Sequence, residues 1–508
     1  MERACGVLLH ITSLPSPYGI GTLGAQARRF ADFLREAGQT FWQVLPLGPT
    51  GFGDSPYQSF STFAGNPYLI DLDTLCEEGL LSREELEAVD WGDDPERVDF
   101  SLVYEGRFAV LRRAFERGRF RSADAFEAFC RENAHWLRDY ALFMALKKHF
   151  GGSPWTEWPD DAVRLREPEG LKRYSTLLSE DVAFYSYLQF LFFRQWEDFK
   201  CYVNQRGIRL FGDVPIYVAM DSADVWANPS LFWLDAGRRP VCVAGCPPDY
   251  FSAKGQLWGN PLYDWEAHRA TGYDWWMGRL SSLSRFFDVV RIDHFRGFEA
   301  YYAIPWPAED AVAGSWKKGP GMDFFRTVKE RLGALEVVAE DLGYLTPEVH
   351  ALLEETGYPG MKVLQFAFDG SADNAYLPHN HVPGCVVYVG THDNNTVLGW
   401  LEEAGEESVR QAERYMALSG REGAVWGFVR TAYASVARLA MVQMQDLLEL
   451  PASCRMNTPS VAAGNWRWRM REDAALPELA EKLRLLAALY GRLPKEAAAP
   501  PKTEKEKA

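Results

Sequence analysis

Four short apolar runs in this 508-residue chain lead into a carboxylate: IRLFG into Asp213, VVRI into Asp293, LEVVA into Glu340 and VVYVGTH into Asp393. A single acid at the end of a strand reads most simply as a helix cap or a surface ion pair. Four of them point to a shared site if the strands are parallel, because their C-terminal ends then gather on one rim. Neighbouring residues separate two of these acids chemically. Side chains two apart on a strand share a face, so Arg291 and Asp293 both point inward and Ile292 outward. The guanidinium favours the charged carboxylate that a nucleophile must present. Glu340 follows Val337, Val338 and Ala339 with no cation beside it, and poor solvation favours the proton that a general acid must carry. Two carboxyls with opposed preferences are the equipment for breaking a glycosidic bond. A buried structural ion pair is the competing account of Arg291 and Asp293.

Such acids can meet only if the chain folds in a particular way. Seven runs, ACGVLLHITS, FWQVLPLG, IRLFGDVP, FFDVVRIDH, LEVVAEDLG, MKVLQFAFD and CVVYVGTHDN, are apolar without alternation, as strands buried on both faces require. Helical patterns such as AQARRFADFLREAG and PEVHALLEETG separate many of them. Repeated strand and helix favour an α/β fold, either a (β/α)8 barrel or an open doubly wound sheet. Barrel strands are expected in residues 1–70, 183–220 and 285–494. Residues 71–182 read as an inserted, mainly helical subdomain, and 221–284, rich in Trp, Pro, Gly and Asn, as a loop-rich insertion over the groove. Residues 495–508, KEAAAPPKTEKEKA, lack apolar periodicity and read as a disordered tail.

Composition narrows the substrate. A formal charge of -16 argues against nucleic acid and anionic membrane surfaces, which favour a basic face. No apolar run approaches the roughly 20 residues needed to span a bilayer. The eight cysteines are scattered, as in a reduced cytoplasm, and the isolated Cys242 and Cys246 pair is no zinc site. Neither a dinucleotide fingerprint nor a Walker lysine occurs. The stretch GCPPDYFSAKGQLWGNPLYDW has the length and composition of a binding loop. In it Tyr250, Phe251 and Trp258 can stack on sugar faces, while Asp249, Gln256 and Asn260 can hydrogen-bond hydroxyls. Each aromatic, taken singly, is better explained by packing.

Taken together, HITSLPSPYGIGTLG, GDSPYQSFSTFAGNPYLIDL, FGDVPIYV, PPDYFSAKGQLWGNPLY, RIDHFRGF, VAEDLG, GTHDNNTVLGW and MNTPSVAAGNWRWR resemble the amylomaltases, the 4-α-glucanotransferases of glycoside hydrolase family 77 in the α-amylase clan. The resemblance covers nearly the whole chain apart from the tail. It implies a (β/α)8 barrel with inserted subdomains, no separate C-terminal β-domain, no obligatory metal or organic cofactor, and α-1,4-glucans as partners. It implies that Asp293 is the nucleophile, Glu340 the acid/base and Asp393 the third carboxylate, which holds sugar hydroxyls. Arg291 matches the cation beside the nucleophile, His294 and His392 match residues that contact hydroxyls, and Tyr57 matches a stacking aromatic at the cleaved bond. Asp213 matches a polar site residue. Asp249, Gln256, Trp258 and Asn260 match the loop over the groove, and Asn457 a late NTP motif. Cys246 departs from the family, which usually has an aliphatic residue there. The residues by themselves indicate retaining glycosidase chemistry, and the transfer of glucan segments comes from the resemblance. An α-glucan hydrolase and a non-catalytic glucan-binding protein remain the alternatives. A monomer is compatible with the sequence, which sets no oligomeric state.

Overall fold

Eight parallel strands form the frame of the computed structural model, which describes residues 2–51, 53–248, 252–343, 345–461 and 463–494. They are β1 (Ala4–Leu8), β2 (Phe41–Gln43), β3 (Arg209–Pro215), β6 (Val289–Asp293), β9 (Val337–Ala339), β10 (Gly360–Val363), β11 (Cys385–Tyr388) and β12 (Leu439–Gln443). Around the ring the order is β10, β11, β12, β1, β2, β3, β6, β9, and every ladder is parallel. A bond from the Ala339 amide to the Pro359 carbonyl, 2.9 Å, joins β9 to the start of β10 and nearly closes the barrel.

Alternation within the strands builds two cores. Phe41, Phe211, Val289, Val338, Met361, Val386, Tyr388, Leu439 and Met441 form one buried cluster that fills the ring. Their neighbours, such as Val7, Trp42, Leu210, Ile292, Val387 and Val442, belong to the larger core under the helices. Ile292 thus lies outside the ring and Arg291 inside it, as the period of two requires. Gly6 of β1 is needed for this packing, since a Cβ there would lie 2.6 Å from the Cβ of Phe41 and 2.8 Å from the Met441 sulfur.

Between β2 and β3 the chain is mainly helical. The 27-residue helix Ser179–Gln205 buries Phe184, Tyr187, Leu188 and Leu191 and returns the chain to β3. Residues 221–284 hold more regular structure than their composition suggests. They contain β4 (Cys242–Cys246), β5 (Gln256–Pro261), the helix Trp265–Ala270 and most of the helix Asp274–Phe286. β4 and β5 pair with β7 (Ala300–Pro305) and β8 (Ser315–Lys318) in a four-stranded antiparallel sheet ordered β5, β4, β7, β8. Half of that sheet therefore comes from beyond β6. The expected tail, 495–508, lies outside the described residues. Among the described residues no helix is long and apolar enough to cross a membrane.

Candidate active site

Strand register fixes the first part of the site. β3 and β6 pair so that Asp213 lies opposite Arg291 and Pro215 opposite Asp293. Arg291 Nη1 reaches both Asp213 oxygens, at 2.8 and 2.7 Å, and Nη2 reaches Asp293 Oδ1 at 2.8 Å. The Met361 sulfur, 3.3 Å from Arg291 Nε, occupies the remaining side of the guanidinium. Burial opposes the charge of Arg291, but the Asp213 and Asp293 carboxylates outweigh it and raise the residue well above its ordinary value. Asp213 was expected as a polar residue of the binding surface. At 1% exposure it lies beneath that surface and holds Arg291, while also accepting from the Tyr57 hydroxyl at 3.0 Å. Asp293 keeps 31% of its side chain exposed, so one partner of the guanidinium is sealed and the other faces the mouth.

Glu340 reaches the same mouth from the adjacent strand, with its amide bonded to the Ile292 carbonyl at 3.0 Å. Its Oε2 accepts from the His294 amide at 2.8 Å and its Oε1 from the Leu342 amide at 2.7 Å. His294 can aim that amide because it sits in the left-handed region, φ 54°, which His tolerates better than most residues. Burial, and then the charge of Asp293, push Glu340 up to about 7 despite Arg291 and the two amides. The His294 ring is held down to about 4 by burial, and its Nε2 is buried with no hydrogen-bond partner among the described residues. A neutral ring with an unused nitrogen is suited to a sugar hydroxyl.

Asp393 stands on the turn after β11. Asn457 donates to its Oδ1 at 2.6 Å, Arg455 to its carbonyl at 2.5 Å, and His392 Nε2 lies 3.3 Å from Oδ1. The His392 ring stacks on Tyr57 with centroids 5.2 Å apart and planes 13° from parallel, and Trp466 packs against both. Tyr57 is thereby fixed by its ring and by its hydroxyl. The sheet supplies another wall. Trp258 meets His294 edge to face at 4.8 Å and bonds Gln256 Oε1 through Nε1 at 3.0 Å. Asn260 is buried, donates to the Val218 carbonyl at 2.9 Å and accepts from Gln58 at 3.4 Å, so it secures β5 to the segment after β3. Asp249, with Tyr250 and Phe251, lies outside the described residues.

The fold thus brings Tyr57, Asp213, Arg291, Asp293, His294, Glu340, His392, Asp393 and Asn457 to one rim, with Gln256, Trp258 and Asn260 on the strand beside it. Arg455, Trp466 and Tyr217, whose ring packs on those of Trp258 and His294, were not singled out in the sequence. Arg455 and Trp466 flank the NTP motif, and that proximity was the available signal.

A model of a sequence family described as 4-alpha-glucanotransferase, glycoside hydrolase family 77, matches residues 9–475. The chain belongs to this family. It is 49% identical to the 4-alpha-glucanotransferase of Thermus thermophilus over 504 residues, 97% of this chain and 100% of the relative. To that of Clostridium butyricum it is 47% identical over 486 residues, 95% and 100% of the two chains. The solved amylomaltase of Streptococcus agalactiae in complex with acarbose superposes with a TM-score of 0.95 at 44% identity, covering 97% of this chain and 100% of that one. Family membership and the parallel barrel agree with what the motifs implied.

Removing the cation exposes its role. Arg291→Met leaves Asp213 buried without a countercharge, which costs about 3–5 kcal/mol, and the double variant Arg291→Met/Asp213→Asn recovers part of that loss. Chemical denaturation of the three proteins checks this; equal loss in the single and double variants contradicts it. Glu340 makes a second prediction, about pH. Unfolded Glu340 releases its proton near 4.5 and folded Glu340 near 7, so its contribution is intact below pH 4.5 and is lost as pH rises to about 7. A shift of that size corresponds to roughly 3 kcal/mol. Glu340→Gln therefore gains stability relative to the parent between pH 4.5 and 7, and a constant difference in melting temperature across that range contradicts the assignment.

Proposed function

We propose that the protein is a retaining 4-α-glucanotransferase in which Asp293 is the nucleophile, Glu340 the acid/base and Asp393 the carboxylate that grips sugar hydroxyls. The observation that carries this reading is the pairing of an Arg291-bound Asp293 with a Glu340 whose burial holds its proton to about neutral pH. A nucleophile and an acid need these opposite states at the same moment.

In the first step Asp293 attacks the anomeric carbon of an α-1,4-glucan. The glycosidic bond breaks, and the departing oxygen takes the proton of Glu340. The product is a glucosyl ester on Asp293, and Glu340 is left as a carboxylate. Arg291 then relinquishes charge pairing with Asp293 but keeps that with Asp213, so no buried cation is stranded. In the second step Glu340 removes the proton from the 4-hydroxyl of an acceptor glucan or glucose. That oxygen displaces Asp293 and a new α-1,4 bond forms. Two inversions retain the configuration. Tyr57, on its His392 platform, offers a flat face at the cleaved bond, and His294 offers its unused Nε2. Asp393, held by Asn457 and Arg455, faces the mouth with 42% of its side chain exposed. Each step is assigned to a side chain at this rim.

The geometry serves water and sugar as acceptors alike, and family membership favours sugar. Maltotriose distinguishes them. Transfer gives free glucose together with maltodextrins longer than three units, whereas shortening without elongation indicates an α-glucan hydrolase. Asp293→Asn, with folding retained, loses activity by several orders of magnitude; substantial residual turnover refutes its role and an inert parent protein leaves only glucan binding.

A further inference from the structure

Seven parallel ladders join the eight strands of the ring, and among the described residues the eighth junction, between β9 and β10, has none. A main-chain bond crosses it from the Ala339 amide to the Pro359 carbonyl. Buried backbone groups need partners, and beyond that bond a side chain takes the place of a ladder. Asp341 is 5% exposed, and its Oδ1 accepts from the Met361 amide at 2.6 Å. Gly360 makes room for it, since a Cβ there would lie 2.4 Å from Asp341 Oδ2. Burial disfavours the charge of this carboxyl, and the Lys362 ammonium and the Met361 amide oppose that effect.

This seam brackets the proposed acid/base. Ala339 and Asp341, the residues on either side of Glu340, are both tied across it, to Pro359 and Met361. Asp341 also stands between Glu340 and Leu342, whose amide holds Glu340 Oε1 at 2.7 Å. Displacing residue 341 therefore moves the acid and the donor that grips it. On the other side of the seam, Met361 lies inside the ring with its sulfur 3.3 Å from Arg291 Nε. The bond between Asp341 and Met361 thus links the segment that presents Glu340 to a residue bordering the guanidinium of Asp293.

We propose that Asp341 is a positioning residue for the reaction, which closes the barrel between β9 and β10 and so fixes Glu340 where it can protonate the departing oxygen. This rests on the glucanotransferase reading and adds a support for its acid/base. Losing that support impairs the steps that need Glu340 as acid or base and spares those that do not.

The test compares two donors. Maltotriose needs its departing oxygen protonated. α-Glucosyl fluoride does not, because fluoride leaves as an anion when Asp293 bonds the anomeric carbon. Added azide, also an anion, then displaces Asp293 without a base and gives a glucosyl azide. In folded Asp341→Ala, kcat for maltotriose falls by roughly a hundredfold, the effect of about a 1 Å misplacement. Its KM for maltotriose and its fluoride release in azide stay near those of the parent. Asp341→Asn, which keeps an oxygen for the Met361 amide, recovers most of the loss. Gly360→Ala, which crowds the Asp341 carboxylate without replacing it, reproduces Asp341→Ala and decides the matter if that variant does not fold. Parent-like kcat for maltotriose, or equal losses on both donors in folded protein, overturns the positioning role and leaves the enzyme reading intact. Failure of all three variants to fold does the same, because Asp341 is then a requirement of folding alone. A parent that turns over neither donor overturns both readings.

Discussion

A guanidinium buried at the mouth of the barrel constrains everything around it. Arg291 is 3% exposed, and an unpaired charge in that position would cost several kcal/mol. Two carboxylates must therefore stay close to it, one on the neighbouring strand and one two residues along its own. The register between β3 and β6 supplies both. Because Asp213 is sealed and Asp293 is open, the same guanidinium that satisfies the interior also pairs with a carboxylate facing the groove. The Asp293 charge then helps Glu340 retain a proton on the adjacent strand. Ionisation states at the rim thus follow from packing within the barrel.

The residues at the mouth are set on this frame by local backbone devices. The left-handed His294 turns the chain sharply after β6 and directs an amide at Glu340. Asp393 is held through both its carbonyl and its carboxylate by residues some sixty positions later, so its turn is defined by contact with the chain's late segment. Asn260 fastens β5 to the segment after Asp213, and so links the wall of the groove to the charged layer beneath it. The antiparallel sheet is tied to the barrel at such points.

Much of this was legible in the sequence because parallel barrel strands write a clear pattern. Continuous runs of Val, Leu and Ile marked seven strands, and the period of two placed Arg291 and Asp293 inside. The eighth, Leu439–Gln443, escaped because LAMVQ is rich in residues that helices also favour and follows the helix Ala424–Ala434 directly. The antiparallel sheet escaped for another reason. β4 and β5 are short and rich in Gly, Cys and Pro; β5 pairs with β4, and β4 acquires strand character by pairing with β7, far along the chain. The acids that meet at the rim stand out in the sequence, and their partners less so. Asp213 ends an apolar run just as Asp293 does, and only the three-dimensional register shows that it serves Arg291. Arg455, which holds Asp393, and Trp466, which packs on His392, are marked in the sequence only by their closeness to the NTP motif.

The central claim is that Asp293, paired with Arg291, forms a bond to the sugar. The most direct measurement is mass spectrometry of the protein after reaction with a fluorinated glycosyl fluoride, which forms the glycosyl ester faster than it is resolved. The account predicts one added glycosyl group on the proteolytic peptide that contains Asp293, absent in Asp293→Asn. A label on Glu340 or Asp393, or turnover of the reagent with no labelled protein at any time, would contradict it.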